Sequence, residues 1–240
     1  LLRPRISLVG CSVGIRIRPS AESRSENKVY SEILTDLLNE NGREWHLHNN
    51  CRSRLLSTEL LDFRDLLAAQ NPDVVIINVG AVDAPNREIP KWYSDILFRR
   101  KWLNLYGVAT GLYQGLIRPY FRRPLVSIRM KSPWVGINRF EKSLVDFLKF
   151  VEKDLKSKVI ILGINSGSER IERELPGSLL RYKEYNQKLK EVSNNFNCTF
   201  VDMSELAPEE YFPDGVHYNV EGHRWCAKQI FNSIKNEIKT

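Results

Sequence analysis

Short apolar runs bounded by turn-forming residues recur near positions 5–9, 45–49, 73–79, 158–164 and 199–203, a pattern that predicts five strands. The segments between them carry apolar residues at helical spacing. Val29, Tyr30, Ile33, Leu34, Leu37 and Leu38 share one face, as do Phe140, Leu144, Phe147, Leu148, Val151 and Leu155. Tyr182, Tyr185, Leu189, Val192 and Phe196 repeat the pattern, and so do Trp225, Ile230, Phe231, Ile234 and Ile238. Regular alternation of strand and helix predicts an α/β fold: a five-stranded, mostly parallel sheet between two helical layers. A chain of 240 residues suits one such domain over 1–240.

The interval 89–130, between the third and fourth predicted strands, is too long for a simple connection and reads as an insertion within that domain. Its middle, 98–123, holds Arg99, Arg100, Lys101, Arg118, Arg122 and Arg123 with no acidic residue, interleaved with Trp102, Tyr106, Tyr113, Tyr120 and Phe121. So aromatic a stretch is not disordered, and we expect helices lying beside the site of chemistry. Its surface fits peripheral contact with an anionic membrane, or equally a lid or a contact between copies.

Composition narrows the classes. At 42% hydrophobic and 27% charged residues the chain reads as soluble and globular, and no apolar run approaches the roughly 18 residues of a membrane span. A net charge of +7 favours anionic partners. Nucleic acid is set aside, because no recognition motif accompanies the charge. Cys11, Cys51, Cys198 and Cys226 are scattered without zinc-ligand spacing and read as reduced thiols of a cytoplasmic protein. Nothing in the spacing calls for a metal ion or an organic cofactor.

Candidate chemistry sits at the two ends of the chain. Ser12 follows the first strand within Gly10-Cys11-Ser12-Val13-Gly14, on the carboxyl edge where open α/β sheets carry their sites. Asp214 precedes His217 by three residues in Phe212-Pro213-Asp214-Gly215-Val216-His217, a turn that opens the last helix. Such a carboxylate can hold the imidazole by its Nδ1 proton and leave Nε2 free to activate a hydroxyl. Nucleophile, base and orienting acid are then Ser12, His217 and Asp214, and the reaction class is acyl transfer through a serine ester. Gly-x-Ser-x-Gly is also the nucleophile elbow of α/β-hydrolases, but there several strands precede the serine and the acid and histidine lie on separate loops.

These segments resemble the SGNH/GDSL hydrolase family, whose nucleophile follows the first strand and whose Asp-x-x-His pair lies near the end. Asn71–Gly80 resembles the strand leading into the family's Gly-x-Asn-Asp block. The resemblance implies the flavodoxin-like SGNH fold and a serine esterase or O-acyltransferase, with an acetyl ester, a glycan or another anionic molecule as substrate. Two departures stand out. Gly80-Ala81-Val82-Asp83 puts Val82 where the family carries an oxyanion-binding asparagine, and the glycine expected after the second strand has no counterpart in Asn49–Arg54. Losing one oxyanion donor costs about 100- to 1,000-fold in turnover, so a binding or assembly protein on the same fold is the rival reading. The backbone N–H groups of Ser12 and of Arg52, Ser53 and Arg54, with the Arg52 or Arg54 guanidinium, are the candidate replacements.

Five arginines, Arg16, Arg18, Arg52, Arg54 and Arg87, fall on loops leaving the carboxyl edge of the predicted sheet, and they are candidate anchors for an anionic substrate. Asp83 is a candidate ion-pair partner for one of them. Cys11 alternates with Ser12 along the strand end and reads as a small buried side chain, His223 as a packed or capping one, and His46 and His48 as structural.

Overall fold

The computed structural model describes residues 3–40, 44–99, 106–204 and 208–238. Five parallel strands, β1 (Arg5–Gly10), β2 (His46–Asn49), β3 (Val74–Asn78), β4 (Lys158–Leu162) and β5 (Thr199–Val201), lie in the order β2-β1-β3-β4-β5. Every residue of β3 is buried, which is why that strand is a continuous apolar run rather than an alternating one. The strand order reverses between β1 and β3, and a crevice opens at such a reversal beyond the carboxyl ends of the strands. Gly10 closes β1 because a Cβ there would lie 2.8 Å from the Asn78 side chain and carbonyl.

The helices are α1 (Tyr30–Asn39), α2 (Arg64–Gln70), α3 (Lys91–Arg99), α4 (Tyr106–Leu112), α5 (Arg122–Ile128), α6 (Ile137–Phe150), α7 (Glu169–Glu174), α8 (Ser178–Asn195), α9 (Pro208–Tyr211) and α10 (Val220–Ile238). α1 packs against α10, while α6 packs against α8 and the 3-10 turns of Ser57–Phe63, making the two helical layers. Burial follows the expected faces: Phe140, Leu144, Phe147 and Leu148 on α6, and Tyr182, Tyr185, Leu189 and Val192 on α8. Each such fully buried side chain contributes roughly 1.5–3 kcal/mol.

The insertion is helical. α4 runs through a π-helical stretch, Tyr113–Phe121, which contains Pro119, into α5. Its inner face joins the body through Val126, fully buried in the main core, and through a small cluster of Ile89 and Tyr113 backed by Tyr93 and Ile117. Leu112, Leu116, Tyr120 and Phe121 are exposed on its outer face. Arg100 and Lys101 lie outside the described residues. Arg122 is not an outward charge, as its place in the basic stretch suggested: its side chain is 13% exposed and ion-paired inside the molecule with Glu88 and Glu174. Among the described residues no helix is long and apolar enough to cross a membrane.

Candidate active site

Ser12 is the first residue of a single 3-10 turn, Ser12–Gly14, at the end of β1. The Cys11 N–H donates to the Asn78 carbonyl at 3.0 Å, so the turn is pinned to β3 just before the serine. A first residue has no acceptor for its N–H within its own turn, which leaves that donor for a ligand. The other half of the site is the loop before α10. There the Gly215 N–H donates to the Phe212 carbonyl at 2.8 Å, and Gly215 takes φ +86°, a conformation that disfavours any Cβ. Asp214 Oδ1 accepts from the Val216 and His217 N–H groups at 3.0 and 2.8 Å, folding the loop back over its own carboxylate. Asn165 braces the turn by donating to the Val216 carbonyl at 3.0 Å.

Within this frame His217 Nδ1 lies 2.8 Å from Asp214 Oδ2, and His217 Nε2 lies 2.8 Å from Ser12 Oγ. With Nδ1–H donated to the carboxylate, Nε2 accepts the serine proton. Burial alone would raise the Asp214 carboxyl. The hydrogen bonds from the His217 side chain and backbone and from Val216, with the charge of His217, outweigh it and hold Asp214 far below the usual carboxylate range. Arg18 Nε also lies 3.1 Å from Oδ2, an ion-pair contact whose N–H points off the line of a hydrogen bond.

The three side chains line a cavity of about 350 Å³, whose walls include Arg16, Arg18, Arg54 and Arg87. Arg52 is not among them. Its guanidinium stacks over Phe63 at 4.0 Å and its N–H donates to the Gly10 carbonyl at 2.8 Å, so it serves neither oxyanion nor substrate. Ser53 is likewise outside the wall, its hydroxyl 3.4 Å from Arg16 Nη2. Residues to which the sequence reading gave no role in the site complete the cavity: Tyr113 and Arg122 from the insertion expected beside it, and Glu88, Trp134, Arg170 and Glu174. Six arginines thus face three carboxylates, Glu88, Glu174 and Asp214.

A model of the GDSL-like Lipase/Acylhydrolase family matches residues 12–225. The chain belongs to that family. Among solved structures, the fold is similar to a lipase/acylhydrolase from Enterococcus faecalis, at TM-score 0.65 and 17% identity over 98% of this chain and 96% of that chain. It is also similar to an acetylxylan esterase from Geobacillus stearothermophilus, at TM-score 0.63 and 18% identity over 96% of this chain and 94% of that one. The acetyl xylan esterase AlAXEase gives TM-score 0.64 and 17% identity, over 96% and 99% of the two chains. No curated protein matches the chain in sequence.

This member of the GDSL-like family departs from the usual pattern at Val82, which lines the cavity and offers no side-chain donor; its carbonyl accepts from Arg87 Nη2 at 2.9 Å. After β2 it is Arg54 that adopts a left-handed backbone, φ +65°, and its guanidinium reaches into the cavity to the Ser94 hydroxyl. Among the described residues Asp83 pairs with no arginine, contrary to expectation. It is fully buried and accepts from the Ser57 N–H and hydroxyl and the Gly80 N–H, joining the loop after β3 to the start of the Ser57–Phe63 turns. Burial outweighs those bonds and pushes its carboxyl up to about 6. Cys11 is buried and its thiol is pushed up to about 12, which leaves it a poor nucleophile. His223 is fully buried between Tyr30 and Tyr218, accepting from the Tyr30 N–H at 3.2 Å and donating to the Arg16 carbonyl at 3.0 Å.

Proposed function

We propose that this chain is a serine esterase that removes a small acyl group, acetyl above all, from a hydroxyl of a carbohydrate or a similarly polar alcohol. The observation that carries this reading is the relay of two 2.8 Å contacts joining Asp214, His217 and Ser12. His217 Nε2 takes the Ser12 proton as Oγ attacks the ester carbonyl, then gives it to the departing alcohol oxygen. Asp214 holds the imidazole and stabilises its charged form. Water, activated in the same way, attacks the acyl-serine and releases the acid; an alcohol in its place would make the same relay an O-acyltransferase. The Ser12 N–H supports the tetrahedral oxyanion. The arginines and carboxylates that line the cavity beside its apolar side chains suit a polar alcohol. The solved relatives named as acetyl xylan esterases support acetyl and a sugar-like alcohol.

Val82 favours a second reading, a binding protein with little turnover, because one oxyanion donor of the family is missing. A fluorophosphonate probe separates the two without knowledge of the substrate. The esterase reading expects covalent labelling mapped by mass spectrometry to Ser12, lost in Ser12→Ala and His217→Ala and kept in Cys11→Ala. A folded wild-type protein that takes up no label would remove the esterase and leave the binding protein.

A further inference from the structure

Arg87 is the residue of the cavity whose environment asks for a ligand. Its guanidinium lies 4.2 Å from the centre of the Trp134 ring, and Nη2 donates to the Val82 carbonyl. Its Nε is screened from solvent and has no acceptor. Glu88, its neighbour in sequence, is committed to Arg122 and to the Tyr113 hydroxyl. Among the described residues Arg87 makes no ion pair. Arg54 approaches the same indole, with its guanidinium 5.1 Å from the ring centre. Trp134 is itself fixed by donating Nε1–H to the Ile89 carbonyl at 2.9 Å. Two cations therefore converge on one aromatic wall in a partly enclosed space, where like charges repel and a buried donor without a partner costs free energy. An oxyanion at Arg87 would take up its unmet donor, with Arg54, which also bonds the Ser94 hydroxyl, adding positive charge nearby, since a guanidinium fork matches carboxylate or phosphate oxygens.

We propose that Arg54, Arg87 and Trp134 form a subsite for a carboxylate or phosphate group carried on the alcohol portion of the substrate, so that the preferred substrates are anionic esters. The alcohol side follows from the esterase reading on which this inference rests, because an acetyl group has no place for a charge. Trp134 backs the two guanidinium groups that lie over its ring, and they supply the orientation. Arg18 is not part of the subsite, since it lies against Asp214.

The test compares 4-acetoxybenzoate with its neutral methyl ester, each kcat/KM divided by the rate of hydrolysis by hydroxide to remove leaving-group reactivity. We expect wild type to favour the carboxylate by about tenfold or more and to lose most of that preference between about 20 and about 500 mM salt. Arg87→Gln and Arg54→Gln should each lower the ratio, and Arg87→Lys, which keeps the charge without the fork, should fall between. A wild-type ratio at or below one, or a ratio untouched by salt and by both substitutions, overturns the subsite. Calorimetry of 4-acetoxybenzoate on Ser12→Ala gives an answer even if neither ester is turned over. Binding there that Arg87→Gln abolishes supports the subsite, and equal affinity for the neutral ester overturns it. Inorganic phosphate that binds at Arg87 while the ester ratio stays at one would mark a site for a free ion and overturn the substrate assignment.

Discussion

In one part of the cavity lining, Ser12, His217 and Asp214 are joined by two contacts of 2.8 Å, and two of the three are neighbours on one turn. In another, Arg54, Arg87 and Arg122 come from three separate segments: the loop after β2, the loop after β3 and the start of α5. Arg122 is held there by Glu88 and Glu174, which lie far from it in sequence. In the first wall local backbone geometry sets the Asp214–His217 pair, the fold brings Ser12 to it from 205 residues away, and the proposed relay needs all three. The second is held by contacts of different kinds, ion pairs at Arg122, the Val82 carbonyl at Arg87 and the Ser94 hydroxyl at Arg54, so its members should act in degrees. On the proposed reading the first wall supplies a relay of protons and the second a field for a bound group.

The comparison is tested most severely at the relay. Ser12→Ala should lower kcat/KM for an acetyl ester by about 10⁴-fold or more, and Ser12→Ala combined with His217→Ala should be little worse, because either loss leaves the other group without a task. Single substitutions at Arg54 or Arg87 should cost at most about a hundredfold. Steady-state kinetics on the variants reads both. A double triad variant far worse than either single one, or an arginine variant as severe as Ser12→Ala, would erase the distinction between the walls.

The second wall should fail through stability. Arg122→Ala leaves the Glu88 carboxylate, 3% exposed, with the Tyr113 hydroxyl but without its cation, and breaking such a pair costs roughly 3–5 kcal/mol. Denaturant unfolding measures the loss. Arg122→Ala with Glu88→Gln should recover part of it, since the uncompensated buried charge is gone. A single variant within about 0.5 kcal/mol of wild type would show that the pairing does not hold the insertion to the body.

The two walls also differ in how far they can be read from the sequence. β3 was legible because burial of both faces leaves an unbroken apolar run, and the relay because Asp214 and His217 sit three residues apart on a turn already marked by proline and glycine. The sequence pattern placed the arginine loops on one edge of the sheet but not the direction of each side chain. Arg52 turns away onto Phe63, while Arg54, two residues on, reaches the cavity by way of a left-handed backbone that favours glycine. The inward turn of Arg122 depends on Glu88 and Glu174, whose proximity is a property of the assembled fold. Trp134 carried no periodic signal, being a single aromatic residue in the loop between the insertion and α6.

The smallest expected effect probes what anchors the relay. His223 joins the Tyr30 N–H, at the start of α1, to the Arg16 carbonyl, on the loop that follows Ser12, and it must be neutral to accept from the former. Burial is the main cause of its depressed basicity, which lies at about 4 against an ordinary 6.5, and the bond to the Arg16 carbonyl only partly offsets it. A histidine depressed in the folded state is protonated first in the unfolded one. Its contribution is therefore complete above about pH 6.5 and is lost as pH falls toward 4, by about 2 kcal/mol at pH 5. Asp83 works with the opposite sign, its raised carboxyl favouring the folded state as pH falls through about 6, so the wild-type curve alone does not isolate the histidine. The difference between wild type and His223→Gln does, because Asp83 is common to both. Denaturant unfolding at pH 7 and pH 5 should show the stability advantage of wild type over His223→Gln shrinking by about 2 kcal/mol at the lower pH. An advantage that stays constant across that range would mean that the loop behind Ser12 is anchored without reference to the charge of His223, and that both walls of the cavity respond to pH alike.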